Sequence, residues 1–211
     1  MKLYHYVHCP FCIRVRMALG FLNQDYESIV LPYDDEKTPL SLMGKKMLPI
    51  FSFTQGVSNE SLDIIQRLDA KNLLQTTETL NNIENLNDLT AKIGKDVHSL
   101  AMPYWIWTPE FNEQSRHYFQ SKKEIKRGPF KKLVQEKSKF IKNLNITLSE
   151  VEAKLKPFYE SEKFSLSDII IASHLWGMYV VPEFQFSPKV HAYLQEVAKI
   201  CKFNYHEDFW R

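Results

Sequence analysis

The run Cys9-Pro10-Phe11-Cys12 separates two opposed hydrophobic periodicities, and that placement constrains the fold more than any other feature of the 211 residues. Before it, Lys2-Leu3-Tyr4-His5-Tyr6-Val7 alternates polar and apolar side chains and is rich in Tyr and Val, a strand pattern. After it, Ile13-Arg14-Val15-Arg16-Met17-Ala18-Leu19 continues at helical spacing. The chain therefore turns from strand to helix at Cys9. Pro10 suits the first helical position, where its missing N–H would have no intrahelical partner, so Cys9 falls at or near the N-cap. Free N–H groups of the first turn and the positive end of the helix dipole favour thiolate there, and thiols in such settings titrate at about 3.5–7.5 instead of about 8.5. Cys9 is the expected nucleophile. Cys12 lies three residues on, on the same face but inside the turn, which predicts a more covered, less ionised thiol suited to resolving a mixed disulfide on Cys9.

Other chemistries meet obstacles in the same residues. A Cys-x-x-Cys pair is half of a zinc site, but the remaining cysteine, Cys201, is distant and supplies no second half, so no metal is expected. Purely structural burial of both thiols is the alternative to redox chemistry, and the strand–turn–helix context favours the latter. His8 adjoins Cys9 in sequence, a relation that usually points the two side chains apart, so its expected role is minor. Three cysteines are too few for a disulfide scaffold, and no leader-like or bilayer-length apolar run is found, which predicts a cytoplasmic protein with no membrane partner. A net charge of +2 gives no field for nucleic acid. The basic stretch from Lys122 to Lys142 is interrupted by Glu124 and Glu136 and reads as a solvated surface before it reads as a docking face.

Residues 1–70 alternate short strands and helices. Tyr26–Val30 and Met47–Phe53 have strand character, Asp35–Met43 reads as a loop or short helix, Thr54-Gln55-Gly56 as a turn, and Glu60–Leu68 as an amphipathic helix with an acidic start. The order is β-α-β followed by β-β-α, which implies a mixed sheet. Past about Thr76 strand signals vanish, and helical segments are expected near 77–101, 113–126, 130–156, 167–181 and 188–202, with breaks at Pro103, Pro109, Gly128-Pro129, Pro157, Pro182 and Pro188. The reading is an α/β domain over 1–72 and an all-helical domain over 73–211, joined near Lys71–Gln75.

Cys9-Pro10-Phe11-Cys12, the Leu48-Pro49-Ile50 segment and Glu60-Ser61 at a helix start, followed by an all-helical half, resemble glutaredoxins of the glutaredoxin 2 type, which are built on the glutathione-transferase plan. Tyr4, Tyr6, His8, Arg16, Asp34-Asp35, Thr38-Pro39, Gly44 and Asp63 fall in a similar pattern, as do Arg116-His117-Tyr118-Phe119 and Lys122-Lys123-Glu124. Val7, Leu48 and the final helix and tail depart from it. The resemblance implies a thioredoxin-like first domain, glutathione as co-substrate, and a monomer.

It also assigns residues. An X-Pro bond in a folded protein is cis only about 5–6% of the time, so sequence alone makes Pro49 a trans proline at a strand edge. The resemblance reverses this: a cis Pro49 would face the Cys9 turn and leave the Leu48 backbone to pair with the cysteine of glutathione. Glu60 and Ser61 would cap a helix on the bland reading. In the company of the other motifs, Ser61 is expected to bind the γ-glutamyl carboxylate, and Glu60 to meet the γ-glutamyl ammonium group or merely to favour the helix dipole. Phe11 would line the site, and Lys45 or Lys46 would reach the glycyl carboxylate. The implied reaction is glutathione-dependent reduction of mixed disulfides and protein disulfides. The rivals are a glutathione transferase, which the second cysteine disfavours, and a non-catalytic thioredoxin-like binding module, which the intact motif disfavours.

Three features read as structural. Ser165-Leu166-Ser167-Asp168 before Ile169-Ile170-Ile171 has the form of a capping box, and resembles the one in the helical domain of glutathione transferases. Tyr104-Trp105-Ile106-Trp107 is expected in core or interdomain packing before a ligand wall, and Cys201 as a buried small hydrophobe.

Overall fold

Strand β1 (Lys2–His5) stands at the centre of the first domain, parallel to β2 (Glu27–Val30) and antiparallel to β3 (Ile50–Ser52), which pairs in turn with β4 (Val57–Ser58). The computed structural model describes residues 1–204, so the last seven residues of the expected helical domain lie outside the described residues. Strand order is β2-β1-β3-β4, the mixed sheet expected from the β-α-β and β-β-α order. Strand β1 ends two residues before the alternating pattern does, because the chain leaves the sheet to start the turn at Cys9. Leu3 pairs with both Ser28 and Phe51, and is wholly buried together with Phe51.

Helix α1 (Pro10–Phe21) packs on α3 (Ser61–Leu68), with α2 (Lys37–Met43) between β2 and β3. Alternation of buried and exposed residues is lost on α1: every residue from Cys12 to Leu19 is buried, including Arg14 and Arg16. The cause is cover from both domains, since α1 lies against α3 and also against α9 (Leu166–Leu175) of the helical half. The helix that follows Cys9 is thus clamped by both halves of the molecule.

The helical half departs from expectation at three places. One segment was expected over 77–101, but α4 (Thr76–Asn81) stops and α5 (Ile83–Trp105) begins anew at Asn82. Its side-chain amide donates to Glu78 O at 3.0 Å and its backbone N–H to Thr79 O at 3.2 Å, a local alternative to helix continuation that Asn commonly takes. Pro103 does not break α5. Burial of Leu100, Ala101, Met102 and Trp105 outweighs the loss of one hydrogen bond in the last turn. The expected 130–156 helix divides at Glu136 into α7 (Phe130–Gln135) and α8 (Lys137–Lys154), and this change of direction seats Phe130 and Leu133 as well as Leu144, Leu148 and Val151 in the core. Helix α6 (Glu113–Arg127) precedes them, and a 3-10 turn (Trp176–Val180) and α10 (Pro188–Ile200) follow α9.

The capping box forms as expected. The Ser165 N–H donates to Asp168 Oδ2 at 2.9 Å, and Asp168 Oδ1 also accepts from the Tyr159 N–H at 2.8 Å and the Tyr193 hydroxyl at 2.9 Å. Cys201 is fully buried and its thiol is pushed up by burial. No described helix is long and apolar enough to cross a membrane.

Candidate active site

Cys9 occupies the N-cap of α1 in extended conformation (φ −68°, ψ 120°), with Pro10 at the first helical position. Its side chain is half-buried, while Cys12 is wholly enclosed beneath it in a small cluster with Leu48 and Ile50. All three cysteines are unbonded thiols. The N–H groups of the first turn point toward the Cys9 sulfur and favour the thiolate. Its thiol is held below the ordinary range, first by hydrogen bonding with Cys12, then by the Cys12 and Phe11 N–H groups and the Lys123 ammonium, against the opposing effect of burial. Cys12 moves the other way, well up, because burial and the neighbouring Cys9 both oppose its charge. One thiol is favoured as thiolate and the other as thiol.

The remaining residues singled out in the sequence divide between two adjoining cavities. Cys9, Phe11 and Leu48 border one of about 580 Å³. Phe11, Glu60 and Ser61 border the other, of about 650 Å³. Phe11, 46% exposed, borders both cavities, as do His98 and Arg127. Pro49 is buried, and the Leu48–Pro49 bond is cis. Glu60 precedes α3 with an exposed side chain that pairs with Lys45 at 3.7 Å, and Ser61 is buried at the first position of α3. Lys46, the other candidate for a glycyl carboxylate, donates to Tyr33 O at 2.7 Å and pairs with Glu36 at 3.8 Å.

His8 is buried and neutral, its pKa pushed well down by burial and by Arg16. The Thr108 hydroxyl donates its proton to Trp105 O at 2.7 Å and so must accept from His8 Nε2–H at 2.9 Å. His8 also stacks on Trp105, with centroids 5.1 Å apart and planes at 5°. It ties the Cys9 turn to the helical half and places no charge beside the sulfur. Trp105 serves as expected in interdomain packing, but Trp107 does not: it is 68% exposed under the Arg116 guanidinium.

Comparisons with known proteins match both halves of the chain. Residues 3–73 match the family described as glutathione S-transferase, N-terminal domain, and residues 82–208 match glutaredoxin 2, C terminal domain. Glutaredoxin 2 of Escherichia coli strain K12 is 30% identical over 97% of each chain. The chain belongs to the glutaredoxin 2 family. A crystal structure of glutaredoxin 2 from Salmonella typhimurium in complex with glutathione superposes with a TM-score of 0.82 at 27% identity, covering 99% of this chain and 97% of that one. A glutathione S-transferase of Ceriporiopsis subvermispora, with a TM-score of 0.78 at 14% identity over 95% and 96%, shares the fold alone.

In this glutaredoxin 2 family chain two groups near the thiols escaped the sequence reading. Arg14, buried, donates from Nη1 to Ser61 Oγ at 3.2 Å and lies 5.1 Å over the Phe11 ring. Because Arg14 occupies a lone pair of Ser61, the serine proton stays available to donate outward. Its spacing of three from Phe11 on a helix was the available signal. The second group is on α6, where Lys123, Lys126 and Arg127 border the Cys9 cavity. Lys126 is exposed, as the solvated reading of the Lys122–Lys142 stretch expects, while Lys123 and Arg127 are partly buried in the cleft wall. Phe119, Lys123, Lys126 and Arg127 fall on one helical face, and Phe119, buried in the core, turns that face inward.

Proposed function

We propose that this chain reduces glutathione mixed disulfides and protein disulfides, with Cys9 as nucleophile and Cys12 as resolving thiol. The observation that carries the reading is the pair of thiols one turn apart with opposite ionisation, the lowered one open to a cleft and the raised one beneath it. The glutathione-bound Salmonella relative supports glutathione as the co-substrate.

Glutathione would lie with its cysteine along Leu48 and Pro49, its sulfur toward Cys9, and its γ-glutamyl end past Phe11 at Glu60 and Ser61. Donors for that carboxylate are the first N–H groups of α3 and the Ser61 hydroxyl that Arg14 orients. The Cys9 thiolate attacks the glutathione sulfur of a mixed disulfide; a Cys9–glutathione bond forms, the old bond breaks, and the leaving thiolate takes a proton from water. A second glutathione thiolate attacks the glutathione sulfur of that intermediate, leaves as glutathione disulfide and restores the Cys9 thiolate. On protein disulfides Cys12 loses its proton, attacks Cys9 and releases the partner thiol, leaving a Cys9–Cys12 disulfide that two glutathione molecules reduce. The raised Cys12 favours the first route whenever glutathione is abundant.

We place this activity in the cytoplasm, in a monomer whose domains are 1–72 and 73–211. Reduction of hydroxyethyl disulfide with glutathione tests the reading. Turnover is expected in wild type and Cys12→Ser and lost in Cys9→Ser. An inactive wild type that instead conjugates an aryl halide, or near-full activity of Cys9→Ser, refutes it.

A further inference from the structure

We propose that the α6 wall of the Cys9 cleft selects disulfide partners whose cysteine is flanked by carboxylates, a specificity that rests on the redox reading above but is carried by different residues. The two walls differ in charge. The first domain presents Cys9, Phe11, Tyr33 and Leu48, with Lys46 already paired to Glu36 at 3.8 Å. The helical half presents Lys123, Lys126 and Arg127, whose spacing of three and four brings them to one face.

Apart from the Cys9 thiolate that Lys123 faces, no described anion is paired with these cations. Among the described residues that border the cavity, Glu110 is the one carboxylate, and it is nearly enclosed, with Oε2 3.6 Å from His8 Nε2. Arg127 is fixed by neutral acceptors: Lys95 O at 3.1 Å, Ser99 Oγ at 3.2 Å and His98 Nδ1 at 3.2 Å. These hold the guanidinium in place and leave its charge intact. Lys123 is held over the Phe119 and Tyr33 rings, with Nζ 5.4 and 5.5 Å from their centroids, and Lys126 is exposed at the rim. In a chain with net charge of only +2, three cations on one wall of a cleft are a local field and not a general one. Apolar walls such as Trp105, Phe111 and Phe119 focus that field where a partner must enter to reach Cys9. A partner cysteine flanked by Lys or Arg meets like charge; one flanked by Asp or Glu meets donors.

Two fluorescein-labelled octapeptides test this, identical except that the single glutathionylated cysteine is flanked by glutamates in one and lysines in the other. Turnover is read on the wild type, and binding by anisotropy on Cys9→Ser, which cannot react. At about 20 mM salt the acidic peptide should be favoured about tenfold in both readouts, and the advantage should shrink at about 300 mM as screening shortens the field. Lys126→Glu, at an exposed position where folding tolerates the change, takes the three positive charges of the wall to a net one and should lower the binding ratio to about twofold. Equal binding of the two peptides, preference for the basic one, or an unchanged ratio in Lys126→Glu overturns the proposal. Charge-selective binding without turnover of either peptide upholds it and instead refutes the redox reading, while turnover of both without selective binding does the reverse.

Discussion

Replacing Gly20 by alanine would normally stabilise a helix. Alanine exceeds glycine by up to about 1 kcal/mol in a helix interior, and Gly20 lies in the last turn of α1 with helical backbone geometry. Here the sign should reverse. A Cβ built on Gly20 would sit 1.9 Å from the carbonyl oxygen of Cys201 and 3.0 Å from its carbonyl carbon. Both atoms are backbone, at the C-cap of α10, and no side chain can rotate away. Relief needs the two helix ends to part by more than about 1 Å, which disturbs the Arg16 guanidinium over Phe203 and the bond from Lys202 to Asn23. Overpacking of a close contact costs about 1–3 kcal/mol, and a backbone-on-backbone clash belongs at the upper end. Net of the propensity gain, about 2 kcal/mol of destabilisation remains, or a fall of about 4–8 °C in Tm for a protein of this length. Thermal melts followed by circular dichroism, with the Cys9 alkylation rate measured alongside, read both the loss and its transmission along α1. A Gly20→Ala variant that melts at or above wild type refutes the argument.

Lys123→Met should raise the pH at which Cys9 becomes reactive toward iodoacetamide, because a cation that favours the thiolate is removed; Lys123→Arg should restore it. An unmoved alkylation profile would show that the first-turn dipoles and Cys12 suffice. Acid should weaken the fold through buried neutral histidines. Burial lowers His5 and His98 to about 3 and His174 to about 4, so each binds its proton more readily unfolded. Stability is then full above the unfolded value of about 6.5 and falls toward the folded values, by at most about 1.4 kcal/mol per pH unit for each histidine. Urea midpoints at about pH 7.5 and pH 5 check the sign, and a midpoint that is flat or higher in acid contradicts it. Asp168→Ala leaves the Tyr159 and Ser165 N–H groups and the Tyr193 hydroxyl without their acceptor in the core, at a cost of about 3 kcal/mol or more in chemical denaturation. A loss under about 1 kcal/mol would mean that water replaces the carboxylate.

Much of the first domain was legible along the chain because its determinants are local. Pro10 after Cys9, strand alternation before it and helical spacing after it place the nucleophile at a helix start without reference to any distant residue. Ser165 and Asp168 announce their helix in the same way, since a capping box is closed within four residues. What spans long separations was not legible. That Pro103 stays inside α5 depends on how many of its neighbours are buried, which is a property of the packed core. His8 reads as a residue of minor role until Trp105, Thr108 and Glu110, about a hundred positions away, enclose it as a neutral group that ties the Cys9 turn to the helical half. Ser61 is legible as a binding residue, but not the Arg14 guanidinium that reaches it across 47 residues. Lys123 and Arg127 read as solvated because a charge run carries no record of the surface it will face. By itself the sequence placed Cys9 at the helix start and Cys12 inside the first turn, since the field of a first helical turn belongs to the turn. Only the tertiary structure decided what surrounds Cys9, because charge and burial act through space and the helical half is brought over it by packing alone.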